Sequence, residues 1–284
     1  MILREPCLPP GWYPREKGKI EQFLEPFRKN ASQMAHNCAK AAIAPHAGWY
    51  YSGLCAAAAV SSLDPEAGTV AVIGGHLGPG MPVLAAAEEG VRTPFGAMRI
   101  DLELRDEFQK KVPCRPDRYA DNTVEVLLPM VHYFFPRAAL LWLRFPADLS
   151  SYEAGKSLAE AAASLGRRMV LLSSTDLTHY GENYDFSPKG SGKAALEWVK
   201  NHNDAAFISA VLERKSALVL QRAEEDHSAC SAGSVLGALG FTASPRGAPG
   251  RERNAQLLDY RTSADVTGED DVPDSFVGYA AIAL

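Results

Sequence analysis

Two rhythms of apolar and polar positions alternate along the chain. Short runs of consecutive apolar residues, as strands buried on both faces show, occur at Ala41–Ala44, Thr69–Ile73, Ala139–Leu143 and Arg168–Leu172. Helical spacing separates them. Glu16–Glu25 carries Ile20, Phe23 and Leu24 on one face and is expected to end or kink at Pro26. Further helices are predicted over Gly53–Ser62, Leu102–Lys110, Thr123–Tyr133, Tyr152–Leu165, Lys193–Val211, Ser216–Gln221 and Ser231–Leu239. Residues 82–100 read as short strands joined by Gly-containing turns, and Ala255–Tyr260 and Phe276–Ala283 as closing strands near enough in sequence to pair antiparallel. The pattern predicts an α/β fold: a single layered domain over residues 1–284, its mixed central β-sheet flanked by helices. No internal repeat or low-complexity tract divides it.

Three of the apolar runs end in reactive residues. Ala41–Ala44 leads into Pro45-His46-Ala47-Gly48-Trp49-Tyr50-Tyr51-Ser52-Gly53. Thr69–Ile73 stops at Gly74-Gly75-His76, followed by Leu77-Gly78-Pro79-Gly80. Arg168–Leu172 runs into Ser173-Ser174-Thr175-Asp176-Leu177-Thr178-His179-Tyr180-Gly181. Loops at strand ends are where α/β folds bind ligands, and the nearby glycines allow close approach. Each residue also has a plainer reading. A histidine after a strand caps or hydrogen-bonds. Asp176 and His179, three apart, suit a helix N-cap and its first turn. Tyr51 suits a half-buried aromatic. Three such ends aligned by one sheet point to a site. Cys230 lies among small residues at a helix start, where a buried thiol packs as a small hydrophobe or is held as thiolate by the helix N-terminus. His227 reads as surface polar, His132 as structural within a helix, and His36 and His202 as solvent-side.

Composition narrows the function classes. A formal net charge of −5 argues against a polyanionic partner, nucleic acid included. No apolar run is long enough to cross a bilayer, and the N-terminus lacks the layout of a signal peptide. The five cysteines are scattered without a Cys-x-x-Cys pair, so a reducing cytoplasm is expected and a disulfide framework is not. Neither a Gly-x-Ser-x-Gly elbow nor His-Glu-x-x-His is present. Gly192-Lys193 mimics the end of a P-loop, but Ser187 and Ala194 break the motif.

The string Ala44-Pro45-His46-Ala47-Gly48-Trp49-Tyr50-Tyr51-Ser52-Gly53 resembles the signature of the Memo family. Agreement extends over nearly the whole chain. It runs through Arg4-Glu5-Pro6, Gly11-Trp12-Tyr13-Pro14, His76-Leu77-Gly78-Pro79-Gly80, Glu125 to Pro129, Ser174 to Gly181, Leu258 to Ser263 and Val277-Gly278-Tyr279-Ala280. The resemblance implies a fold shared with class III extradiol dioxygenases. It also implies a metal held by two histidines and a cysteine, at His46, His76 and Cys230. The family's Asp and neighbouring His fall on Asp176 and His179 as catalytic residues, and a pocket tyrosine falls on Tyr51. Implied too are a non-haem, dioxygenase-like oxidoreductase chemistry on a small organic substrate, Fe(II) or Cu as the metal with Zn as the alternative, and a radical-SAM protein and a third small protein as partners. The rival readings are a non-catalytic metal- or peptide-binding protein and a metal-dependent hydrolase. Departures fall at Gly74-Gly75, where the family often has Gly-Pro-Asn or Gly-Pro-Ser. Asp121-Asn122 stands in place of Glu-His, Leu127 in place of a further His, and Ser231 to Val235 differs from the Gly and later Pro that follow the family's cysteine.

Overall fold

The protein is described by a computed structural model, covering residues 1–33, 38–244, 254–267 and 272–284. His36 lies outside the described residues. In chain order the first half comprises β1 (Leu3–Arg4), α1 (Lys17–Gln33), β2 (Ala41–Ala44), α2 (Trp49–Ser61), β3 (Thr69–Leu77), β4 (Val83–Ala85), β5 (Gly90–Thr93), β6 (Gly96–Arg99), α3 (Leu102–Gln109), β7 (Cys114–Pro116), α4 (Asn122–Glu125) and α5 (Leu128–Phe134). The second half comprises β8 (Ala139–Pro146), α6 (Ser150–Ser164), β9 (Met169–Ser174), β10 (His179–Tyr180), α7 (Lys193–Trp198), α8 (Asp204–Leu212), α9 (Ser216–Glu225), α10 (Ala232–Ala243), β11 (Gln256–Thr262), α11 (Ala264–Thr267) and β12 (Phe276–Ala283).

Among the described residues the main sheet runs β10-β12-β2-β9-β3-β8-β4-β7, with β11 also on β12. Strands β2, β9, β3 and β8 are mutually parallel; β12 is antiparallel to β2, and β4 to β8. The sheet is therefore mixed, as the closing strands predicted. A second, small sheet joins β1, β5 and β6. The apolar runs of the parallel strands follow from burial on both faces. Ala42, Ala44, Val70, Val72, Leu140, Trp142, Val170 and Leu172 face a core shared with α1, α2, α4 and α5. The intervening Ala41, Ile43, Ala71, Ile73, Leu141, Leu143 and Leu171 face a second core, built with α3, α6, α8, α9 and α10. No helix among the described residues is long and apolar enough to cross a membrane.

Several boundaries differ from expectation. Helix α1 continues through Pro26, which sits on the solvent side together with Gln22, so the carbonyl left without a donor faces water. Helix α2 begins four residues earlier than predicted, at Trp49, because that indole is buried and its Nε1 donates to the Val126 carbonyl at 2.9 Å. Strand β3 runs on through Gly74, Gly75 and His76 to Leu77, with an irregular register against β8. The predicted Thr123–Tyr133 helix is two short ones, α4 and α5, with Pro129 in the first turn of the latter. A π-helical turn over Val199–Asn203 interrupts the Lys193–Val211 helix. His179 starts β10 instead of following a helix cap.

Candidate metal centre

The C-terminal ends of the parallel strands converge on a cavity of about 680 Å³ lined by His46, Tyr51, His76, Asn122, Asp176 and His179, with the Trp12, Tyr184 and Tyr279 rings among its other walls. One ligand atom from each of His46, His76 and Cys230 lies within 4.8 Å of the others. Sγ of Cys230 is 3.2 Å from Nε2 of His46, and the two imidazoles meet edge to face with centroids 4.9 Å apart.

His46 follows β2 directly. Its backbone N–H donates to Oδ1 of Asp176 at 2.7 Å, and its Nδ1 is 2.8 Å from Ser174 Oγ at the end of the neighbouring β9. With Nδ1 occupied by the serine, Nε2 is the nitrogen turned toward Cys230. His76 sits near the end of β3 at φ +58°, a left-handed conformation that histidine tolerates better than most side chains. Its Nδ1 lies 3.1 Å from Oδ2 of Asp121. A carboxylate only accepts, so Nδ1 carries the proton and Nε2 is presented as a ligand, the arrangement that fixes metal-binding imidazoles.

Gly74 and Gly75 are required by what approaches β3 on its two faces. A Cβ on Gly74 would fall 2.1 Å from Thr123 Oγ1, and one on Gly75 would fall 2.3 Å from Ser231 Cβ. These contacts bring the Asp121–Thr123 segment and the Cys230–Ser231 segment against the strand that carries His76. Arg144 of β8, buried beneath, donates from Nε to the Gly75 carbonyl at 2.9 Å and pairs through its other nitrogens with Asp121 at 3.2 Å and Asp117 at 3.5 Å. Asn122 donates to the His46 carbonyl at 3.0 Å. Cys230 precedes α10; its N–H donates to the Asp176 carbonyl, and its Sγ lies 3.8 Å from Thr175 Oγ1.

The electrostatics suit a thiolate. Burial opposes ionisation of Cys230, but the His46 and His76 imidazoles overcome it and hold the thiol well below its usual range. Burial likewise opposes the charge of His76, yet Asp121 and Cys230 push it up to about 10, so the metal-free ring also holds a proton on Nε2 that a metal would displace. Burial raises the Asp176 carboxyl, with the His46 charge pulling the other way. The donor set also fits a metal. With bond lengths near 2.1 Å to nitrogen and 2.3 Å to sulfur, ligands at a right angle stand about 3.1 Å apart and tetrahedral ones about 3.6 Å. The 3.2 Å between Nε2 and Sγ lies in that interval, close to the right-angled limit.

His179 lines the cavity wall. Its Nδ1 is 3.0 Å from the Leu177 carbonyl, which can only accept, so Nδ1 donates and in the neutral ring the lone pair is on Nε2. The ring meets Tyr184 edge-on at 4.9 Å. The loop beneath is pinned by the π-helical turn, which puts Asn203 and Asp204 together on Thr178. Asp204 accepts from the Thr178 N–H at 3.1 Å, from the Thr178 hydroxyl, and from the Tyr260 hydroxyl at 2.7 Å; Asn203 donates to Thr178 Oγ1 at 2.9 Å. Burial pushes the Asp204 carboxyl up to about 6.

Five of the six predicted site residues therefore line one cavity, with Tyr51 at its exposed side, and the sixth, Cys230, lies against the His46 and His76 imidazoles without lining it. Sequence reasoning missed Ser174, Asp121, Asn122, Arg144 and Asp204. The Asp121-Asn122 pair, expected only as a loss of histidines, orients one ligand and lines the pocket. His132 is buried within α5 and His202 and His227 are exposed, as expected.

A family model described as Memo-like protein matches residues 4–283. Curated MEMO1 family proteins are similar over full length. One from Pyrococcus abyssi is 29% identical, covering 100% of this chain and 99% of its own. One from Methanosarcina mazei is 29% identical with 100% of both chains covered, and one from Pyrobaculum arsenaticum is 32% identical with 99% of each. An uncharacterized protein from Escherichia coli K12 of known structure matches at a TM-score of 0.42 and 13% identity, covering 85% of this chain and 98% of that one.

Proposed function

We propose a function from one premise: the chain belongs to the Memo-like protein family. On it we read a metal-dependent, dioxygenase-like oxidoreductase acting on a small organic substrate. The observation that carries this reading is the convergence of two imidazole nitrogens and one thiol within 4.8 Å beside a cavity of about 680 Å³. Two neutral nitrogens and one anionic sulfur fill three positions of a first-row metal and leave others open to a ligand. Imidazole suits iron, copper and zinc alike, and the soft thiolate draws the preference toward copper or zinc. Bound there, Fe(II) or Cu supplies an electrophilic, redox-active centre; Zn supplies the first property only.

The chain's own residues would do the remaining work. Nε2 of His179, with its lone pair free, takes a proton from a substrate hydroxyl or amine held against the cavity wall. Asp176 holds the His46 backbone in place through Oδ1, while its Oδ2 lies 3.9 Å from the ligating face of that ring. The Tyr51 hydroxyl and the Asn122 amide are polar groups that orient the substrate among aromatic walls.

Calorimetric titration of metal-free protein tests the ligand assignment. Wild type is expected to bind one Fe(II), Cu or Zn ion, and His46→Ala to lose that binding. Equal binding by both overturns the assignment. Turnover that persists on Zn without oxygen or reductant would move the chemistry to hydrolysis, and metal binding without any turnover would leave a non-catalytic pocket.

A further inference from the structure

A second cavity, of about 740 Å³, opens at the opposite ends of the parallel strands, where Thr69 and Ala139 begin β3 and β8. Seven residue steps along β3, from Thr69 to His76, set it about 23 Å from that histidine at the rise of a strand. It shares no lining residue with the metal pocket.

Its walls are cationic in an acidic protein. Arg99, Arg137, Arg167 and Arg168 line it against two carboxylates, Asp101 and Glu103, whereas the whole chain carries a formal net charge of −5. Both carboxylates are already taken by Arg167: Asp101 at 3.1 Å, and Glu103 in a shorter contact. Arg168 is clamped on Asp64 outside the cavity by a two-pronged contact at 2.8 and 3.0 Å. Arg99 and Arg137 form no ion pair among the described residues, and both are exposed. Two guanidinium forks are thus left without an anion at one cavity.

The inner wall adds a neutral group. His132 is 9% exposed and lines the cavity; its Nδ1 is taken by Thr93 Oγ1 at 2.6 Å, so Nε2 is the nitrogen it has to offer. Burial lowers its pKa, keeping the ring neutral and able to donate or accept. Met98, Ile100 and Leu102 supply an apolar side beside these polar groups. Planar guanidinium forks match phosphate oxygens, and the cavity is of the size that small-molecule ligands occupy, larger than a bare phosphate ion fills.

We propose that this cavity is a second binding site, for a small phosphate-bearing anion, with Arg99 and Arg137 as its charge partners and His132 Nε2 as a hydrogen-bonding group at its inner wall. The site does not depend on the reading of the metal centre. The anion is either free inorganic phosphate or the phosphate of a monoester whose organic part lies on the apolar side.

Full-length protein is titrated by calorimetry with inorganic phosphate and, separately, with adenosine monophosphate, at constant ionic strength. Saturable binding of at least one is expected. Tighter binding of the nucleotide assigns the ester, and equal or tighter binding of phosphate assigns the free ion. Each guanidinium removed is expected to weaken binding about ten-fold or more, so Arg99→Gln and Arg137→Gln together reach about a hundred-fold. Both side chains are on the surface, and a thermal melt checks that the variants are folded. His132→Ala gives an independent, smaller loss. His46→Ala, in the metal pocket at the other end of the strands, is expected to bind the anion as wild type does. The proposal is overturned by absence of saturable binding of either probe at millimolar concentration. It is also overturned by wild-type affinity in the folded double arginine variant, or by loss of anion binding in His46→Ala.

Discussion

Replacing Asp121 with Asn isolates the carboxylate that orients His76. The new side chain keeps the carbonyl oxygen that accepts from the Thr123 N–H at 2.9 Å, and Asn caps helices as well as Asp does, so the start of α4 is expected to stand. At the other position an NH₂ replaces the oxygen that lies 3.1 Å from His76 Nδ1 and 3.2 Å from the Arg144 guanidinium. Donor then faces donor on both sides. His76 loses the acceptor that fixes its tautomer, and hydrogen bonds to charged groups are worth about 1.5–3 kcal/mol. Metal affinity is therefore expected to fall about 10–100-fold, the range found for the outer partners of metal-binding histidines. The buried Arg144 retains Asp117 at 3.5 Å, so the metal-free fold is expected to lose about 1–3 kcal/mol, less than a fully stranded buried charge would cost. Competition against a chromophoric chelator measures the affinity, and a urea melt of metal-free protein measures the stability separately. An affinity within about two-fold of wild type, in a variant that remains folded, would refute the role given to Asp121.

Two further outcomes follow from the packing and the buried charge. Gly75→Ala places a Cβ 2.3 Å from that of Ser231, so overpacking of about 1–3 kcal/mol and weakened metal binding are expected together, and a melt unchanged from wild type would contradict the close approach. Asp204 has a folded-state pKa of about 6 against an ordinary 3.8, so the folded state holds a proton that the unfolded chain releases. Stability is expected to fall as pH rises from about 4 to about 6, by up to about 3 kcal/mol from this group, and to be level in that respect above it. Urea midpoints of wild type and Asp204→Asn, compared across pH 4.5–7, should diverge in that window; parallel curves would exclude the assignment.

Much of the architecture was legible because burial on both faces leaves a plain mark. Ala41–Ala44 and Met169–Ser174 show it as unbroken runs of small and apolar residues, and Pro45 closes the first. The His46, His76 and Asp176/His179 segments were legible for the related reason that polar residues directly after such runs have to lie at the sheet's end. Cys230 came from resemblance, since a cysteine among small residues looks the same whether it packs or ligates. What sequence could not show arises from contacts between distant segments. The length of β3 was hidden because Gly74-Gly75 reads as a terminator, whereas both glycines are extended strand residues that make room for Thr123 and Ser231. Asp121 and Asn122 carry no periodic signal, and their partners lie 45 and 76 residues away. The π-helical turn that sets Asn203 and Asp204 on Thr178 leaves the helical spacing around it nearly intact.

Strand order has a bearing on when the centre comes into existence. His46 and His76 stand at the ends of β2 and β3, and these strands are not neighbours: β9 lies between them. That spacer is synthesised about a hundred residues after His76, and Cys230 follows His76 by 154 residues, roughly 8–30 s at ordinary rates of translation. Early in that interval the two ligand imidazoles lack the strand that sets them side by side, and throughout it the ligand thiol of Cys230 is missing. Loading is thus expected to be an event of the finished molecule, and a bound ion marks a chain whose last ligand has been made and whose central strand has been inserted.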